Sequence, residues 1–151
     1  MSHRYKIIKQ SDVKKEDWDL AFTTAIIASD DLRIRQPTIF FIEPSADGEF
    51  EIQTRIAGCA WPGGLKIYVR SSLFKKEIVE VTAHEVRHCW QFQTGKVGAR
   101  NLDENDAKLY ELGFMGKLGL PADSELREAL AYWRCHQLVY RRCQATAMRR
   151  A

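Results

Sequence analysis

Neither a Cys-x-x-Cys pair nor the dense cysteine spacing of a small secreted domain occurs in this chain. Its four cysteines, Cys59, Cys89, Cys135 and Cys143, therefore argue against a disulfide framework. Free and mostly buried thiols are the expectation. No apolar run approaches the roughly 20 residues that cross a bilayer. Behind the basic start, Met1-Ser2-His3-Arg4-Tyr5-Lys6, there is no apolar stretch of the kind a signal peptide carries. These absences point to the cytoplasm and away from a membrane partner. Charge of one sign is lacking too: 23 basic residues stand against 20 acidic ones, a net +3. Arginines do gather late in the chain (Arg134, Arg141, Arg142, Arg149, Arg150). Cations suit the C-terminal end of a helix, so the cluster reads as a solvated helix end before it reads as a nucleic-acid surface. There is no internal repeat and no low-complexity segment.

What is present fits one globular domain over residues 1–151, with 45% hydrophobic and 28% charged residues. Tyr5 to Lys9 reads as a short strand. Trp18, Phe22, Ala25, Ile26 and Ser29 recur at helical spacing, which predicts an amphipathic helix from Asp12 to about residue 29, capped by Ser11 or Asp12. A β-rich stretch follows. Thr38 to Glu43 is a β-branched and aromatic run bounded by Pro37 and Pro44. Turn residues surround Asp47-Gly48. Phe50, Ile52, Thr54 and Ile56 then alternate with polar residues, the pattern of a half-buried strand. Pro62-Gly63-Gly64 breaks it, and Leu65 to Arg70 reads as a third strand. Helices are expected from about Leu73, after the capping signal Ser71-Ser72, to Thr94; from about Glu104 to Leu118; and from near Asp123 or Ser124 onward. The last carries Leu126, Ala129, Leu130, Trp133 and Tyr140 on one face. Helix, three-stranded sheet, then three helices is an α+β arrangement.

The chemistry lies in His84-Glu85-Val86-Arg87-His88, on the first of those three helices. Residues four apart on a helix share a face about 6 Å apart along the axis. Two imidazoles so placed can grip one zinc ion through Zn–N bonds of about 2.0–2.1 Å. Glu85 sits beside such an ion, where it can take a proton from a water that zinc has made acidic. Val81, Cys89 and Phe92 supply apolar packing behind the motif. A catalytic zinc usually takes three protein ligands, and Asp103, Glu104, Asp106 and Glu111 all follow at reach.

With this motif the sequence resembles the gluzincin metallopeptidases, closest in size to the minigluzincins. Their second zinc motif is a glutamate on a later helix, commonly with a small residue three positions on. Glu104 with Ala107 fits, and the resemblance implies a Zn2+ site of His84, His88 and Glu104. Gln91 also recurs at its position in several such families. The competing role for Glu104 is a capping box with Asn101; Asp103 and Asp106 offer an alternative helix start that leaves it free. The resemblance implies a minimal zincin-like fold: a backing helix over Asp12 to Ser29 and a small mixed β-sheet, then the active-site helix and C-terminal helices. Ile52 to Ala60 looks like the rim strand along the cleft, an open edge able to hold an extended peptide, and Lys66 to Arg70 the inner strand. One departure stands out. Where many gluzincins have a histidine-orienting aspartate four positions after the ligand glutamate, this chain has Lys108, leaving Asp106 or Glu111 to orient a histidine.

The implied activity is zinc-dependent hydrolysis of a peptide or protein substrate, by an endopeptidase rather than an exopeptidase, with Glu85 as general base. A donor for the developing oxyanion is also needed. His136, Tyr132, Tyr140 and Tyr110 are the candidates, led by His136 and with Tyr110 last. Cys135, His136 and Cys143 form a minor alternative metal set. The alternative function is a non-catalytic or latent zinc-binding protein of the same fold, its cleft covered by the C-terminal tail, with a regulatory and nucleic-acid-associated role.

Overall fold

The computed structural model of the protein describes residues 2–150. Met1 and Ala151, the two ends of the expected domain, lie outside the described residues. Five strands form one mixed sheet in the order β3-β1-β2-β5-β4. They are β1 (His3–Ile7), β2 (Thr38–Pro44), β3 (Phe50–Ile52), β4 (Gly58–Ala60) and β5 (Lys66–Arg70). β2 and β5 pair in parallel; the other three pairings are antiparallel. Four helices, α1 (Lys15–Leu32), α2 (Lys75–Thr94), α3 (Arg100–Lys117) and α4 (Leu126–Arg150), complete an α+β fold.

The continuous strand expected from Phe50 to Ile56 is two strands on opposite edges of the sheet. β3 pairs with β1, the chain bends at Gln53 and Thr54, and β4 pairs with β5. Curling of the sheet makes this short connection possible. The rings of Phe50 on β3 and Tyr68 on β5 lie 5.3 Å apart although β1 and β2 separate their strands. Buried Tyr5 pins the connection, its hydroxyl accepting the Ile56 N–H at 2.9 Å. Period-2 alternation runs through both halves, so the pattern alone does not reveal the break.

Alternation places Ile39, Phe41, Ile67 and Val69 on the helix-covered side of the sheet, where they meet Ile78, Val79, Ala83 and Val86 of α2. α1 packs on α2. Its buried Ala21, Ala25 and Ala28 are small enough to let the two axes come close. α1 begins at Lys15, not Asp12: Ser11 and Asp12 fall in a 3-10 turn, and no side chain caps the helix. α2 begins past Ser71-Ser72, at a Phe74 whose N–H is held by Glu77 at 3.2 Å, and it ends on left-handed Gly95.

α4 lies against α1 and the end of α3. Leu126 and Leu130 are buried, each worth about 2–3 kcal/mol. Trp133 meets Phe114 at 4.5 Å, Gln137 donates to the Ile27 carbonyl, and Arg134 and Arg141 pair with Asp30. The helix then runs on exposed to Arg150, so the C-terminal tail is helical and Tyr140, expected on the packed face, is outside the core. Among the described residues no helix is long and apolar enough to cross a membrane. None of the free thiols is paired, but only Cys89 is buried and Cys59 half-buried. Cys135 and Cys143 are exposed, contrary to the expectation of mostly buried thiols.

Candidate metal centre

α2 carries His84 and His88 on one face, and α3 packs across it. The α3 helix starts at Arg100, four residues earlier than the sequence pattern predicts. Asn101 is therefore inside the helix, and no capping box with Glu104 forms. Glu104 sits in the second turn, free to face α2. Its Oε2 lies 3.1 Å from His84 Nε2 and its Oε1 3.0 Å from His88 Nε2. Two ligands about 2.0–2.1 Å from one tetrahedral ion are about 3.3 Å apart, so these spacings are near those of a ligand shell. Among the described residues His84, His88 and Glu104 are the one group of this kind; Cys135, His136 and Cys143 do not form another.

Hydrogen bonds on the far side of each ring indicate which nitrogen carries the proton. Gln91 donates its amide to the Asp103 carbonyl and to Asp106, both at 3.0 Å. That turns its Oε1 toward His88 Nδ1, 2.7 Å away, so Nδ1 is the donor. His84 Nδ1 likewise faces Glu111 at 3.2 Å. In the neutral tautomer each Nε2 lone pair then points toward the Glu104 carboxylate. His88 Nε2 is buried with no hydrogen-bond partner; its 3.0 Å approach to Glu104 lacks the angle of a hydrogen bond. Two imidazole nitrogens and one carboxylate gathered this closely could hold a metal ion; without one, a protonated His84 can donate to both Glu111 and Glu104.

Of Asp106 and Glu111, it is Glu111 that meets a histidine ring, and Lys108 bridges to it at 2.7 Å and balances its charge. Asp106 does not touch a histidine. It holds Gln91, and it takes Arg87 through two bonds of 2.7 and 3.0 Å. Arg87 in turn stacks on Trp90 at 3.7 Å. Of the expected ligand alternatives, Asp103 is used locally, accepting the Gly98 N–H at the entry to α3.

Glu85 is buried between α2 and the edge strand β4. Burial pushes its carboxyl up to about 7, partly opposed by His84 and by a hydrogen bond from the Ala60 backbone. Burial pulls the His84 imidazole down, but Glu111, Glu85 and Glu104 outweigh it and leave the ring above its ordinary value. Gly58 permits this packing: a Cβ there would meet Val81 Cγ1 at 2.5 Å, the Tyr68 carbonyl at 2.9 Å and Glu85 Cγ at 3.2 Å. In the β4–β5 register, Cys59 faces Tyr68, with Ala57–Arg70 and Trp61–Lys66 bonds on either side. The backbone groups of Gly58 and Ala60 consequently point away from β5, Ala60 toward the Glu85 carboxylate and Gly58 to the open edge. Strand pairing beside the site is limited to β4, while residues from Glu51 to Ala60 line the cleft.

The stretch from Glu51 to Ala60, the α2 histidines, Val97 and Gly98, and the start of α3 line an open cleft of about 900 Å³. No residue of α4 lines it. His136 is on an exposed part of α4 against Tyr132, so the structure does not bring it to the triad. Tyr132 and Tyr140 are exposed on the same helix, and Tyr110 donates its hydroxyl to Asp31. The residue that sequence reasoning missed is Arg100, which lines the cleft one turn before Glu104. Its i, i+4 spacing to Glu104 is the signal, visible only once α3 is seen to start at Arg100 rather than at about Glu104. Comparison with protein-family models, curated proteins and solved structures gave no match, so the site's own geometry has to carry its interpretation.

Proposed function

We propose that the chain is a zinc-dependent peptide hydrolase of gluzincin type. The observation that carries this reading is the convergence of His84 Nε2, His88 Nε2 and the Glu104 carboxylate, with both Nδ1 atoms already engaged. These three residues hold the ion. When bound, zinc supplies the Lewis acidity that makes a water nucleophilic near neutral pH. Glu85 does not coordinate. Its buried carboxyl takes a proton from the attacking water and returns it to the leaving amine. The open backbone of Gly58 on the β4 edge pairs with an extended substrate segment, as edge strands do. A cleft this open suits an endopeptidase rather than an exopeptidase.

The test is paired. Elemental analysis of the wild type should find about one zinc per chain, the number such a site holds, and Glu104→Ala should lose it. Glu85→Gln should keep zinc yet lose hydrolysis of a peptide library by about 10²–10⁴-fold. Stoichiometric zinc with no cleavage of any peptide would instead favour a non-catalytic metal module. Zinc retained in a His84→Ala, His88→Ala double variant would overturn the site.

A further inference from the structure

Peptide hydrolysis builds negative charge on the scissile carbonyl oxygen, and a donor must be aimed where that charge develops. The cleft offers few. Both histidines have their N–H groups engaged with Glu111 and Gln91, and the Gln91 amide is spent on Asp103 and Asp106. Gln53 and Thr54 are neutral and sit in the bend after β3. Among the described residues, Arg100 is the one Arg or Lys lining the cleft. It lies four residues before Glu104 on α3, hence on the same helix face and about 6 Å along the axis.

We propose that Arg100 is a catalytic residue, its guanidinium donating to the carbonyl oxygen of the peptide bond as that oxygen becomes an anion. The proposal rests on the hydrolase reading above. Two further observations support it. Arg100 is the first residue of an 18-residue helix, the end at which the dipole disfavours a cation, and it has no ion-pair partner among the described residues. It therefore works against fold stability, a pattern found where function takes precedence. The rest of the charged lining is acidic apart from the histidines (Glu51, Glu85, Asp103, Glu104 and Glu111), surroundings that repel an anionic intermediate unless a cation is present.

The step balances without any further reactant. Water oxygen bonds to the carbonyl carbon while Glu85 takes one water proton. The carbonyl π pair moves onto oxygen, where the Arg100 N–H groups meet it. Collapse re-forms the carbonyl and breaks the C–N bond as Glu85 hands its proton to nitrogen. Arg100 keeps its own protons throughout, as guanidinium does at any working pH.

The experiment uses the full-length zinc-loaded protein, an internally quenched peptide that it cleaves, and a phosphinic peptide of the same sequence that mimics the tetrahedral anion. Arg100→Ala should lower kcat by about 10²–10³-fold with KM changed less than about twofold, and weaken phosphinic-peptide binding by a comparable factor. Zinc content should be unchanged and Tm unchanged or raised, and Arg100→Lys should recover part of kcat. Full kcat in Arg100→Ala, a rise in KM alone, or a loss of zinc would each overturn the assignment. The Glu85→Gln variant separates the two failures. Activity that survives in Glu85→Gln, or a wild type that cleaves nothing, sinks the hydrolase reading and Arg100's role with it; activity lost in Glu85→Gln but kept in Arg100→Ala sinks Arg100 alone.

Discussion

His88 Nδ1 lies 2.7 Å from Gln91 Oε1, one turn further along the same helix, and Gln91 is itself held by Asp103 and Asp106 across the α2–α3 interface. The contact fixes both the ring's orientation and its tautomer. Outer partners of this kind typically contribute 10–100-fold to metal affinity. Gln91→Leu, close in size, should therefore weaken zinc binding by about that factor in a chelator competition. Glu111→Gln keeps an acceptor beside His84 Nδ1 and should weaken it less. Equal affinity in Gln91→Leu and wild type would mean that His88 is positioned by packing alone.

Arg87 and Asp106 join the same two helices through a two-point ion pair that is partly shielded from solvent. Hydrogen bonds between charged groups contribute about 1.5–3 kcal/mol each when shielded, and less as exposure grows. Asp106→Ala should then cost about 1–3 kcal/mol in a urea titration. Because Gln91 keeps its bond to the Asp103 carbonyl, zinc should remain bound at saturating concentration. Complete loss of zinc at saturation would make Asp106 a ligand rather than a support.

How far this site could be read from sequence depends on the range of the interactions that build it. His84, Glu85 and His88 were legible because i, i+4 spacing on a helix is a local property. Glu104 and Ala107 were legible through family resemblance, and Glu111 stood out at i+7 from Glu104. The start of α3 was not, because Ala99 gives no capping signal and the helix is held by packing on α2. That hid Arg100. The break between β3 and β4 depends on Tyr5 reaching Ile56, 51 residues away, and no alternation pattern carries such information. His136, the leading candidate donor, is not in the cleft, because an amphipathic stripe shows that α4 packs without showing which surface receives it.

Gly58 offers a direct test of how tightly β4 and α2 must approach. A methyl group there would lie 2.5 Å from Val81 Cγ1 and 2.9 Å from the Tyr68 carbonyl. The second contact is backbone and cannot swing aside. Gly58→Ala should destabilise the fold by about 1–3 kcal/mol, the usual cost of overpacking, and displace the Glu85 carboxyl. Zinc content should hold while hydrolysis drops. A variant with wild-type Tm would show that the edge strand yields more easily than these distances imply.

The cysteines should divide into two pairs by reactivity. Burial raises the Cys89 thiol to about 12 and the Cys59 thiol to about 11, with Glu85 adding to both, against an ordinary value of 9.0. Alkylation needs the thiolate, and each unit of upward shift lowers its fraction tenfold when pH is below both values. At pH 8, iodoacetamide should modify exposed Cys135 and Cys143 first, giving a product with two adducts by mass spectrometry. Raising the pH should speed modification of the slow pair. Early labelling of Cys59 would mean that the cleft is wetter and more open than its burial indicates.

Truncation separates the two halves of α4. Leu126 and Leu130 are buried, Trp133 packs on Phe114, and Gln137 holds the Ile27 carbonyl, so the first three turns belong to the core. From Leu138 to Arg150 every residue is exposed, and none lines the cleft. Deleting residues 144–151 removes helix without opening the core or uncovering the triad. Tm should shift by less than about 2 °C, since surface changes away from packed features stay within about 0.5 kcal/mol. Peptide hydrolysis should be unchanged. A rise in activity would restore the idea of a tail that covers the cleft in solution. Deletion from Leu126 onward, by contrast, removes two buried leucines and a tryptophan and uncovers the apolar surface they pack on, a loss of several kcal/mol, and it should leave a protein without a cooperative thermal transition.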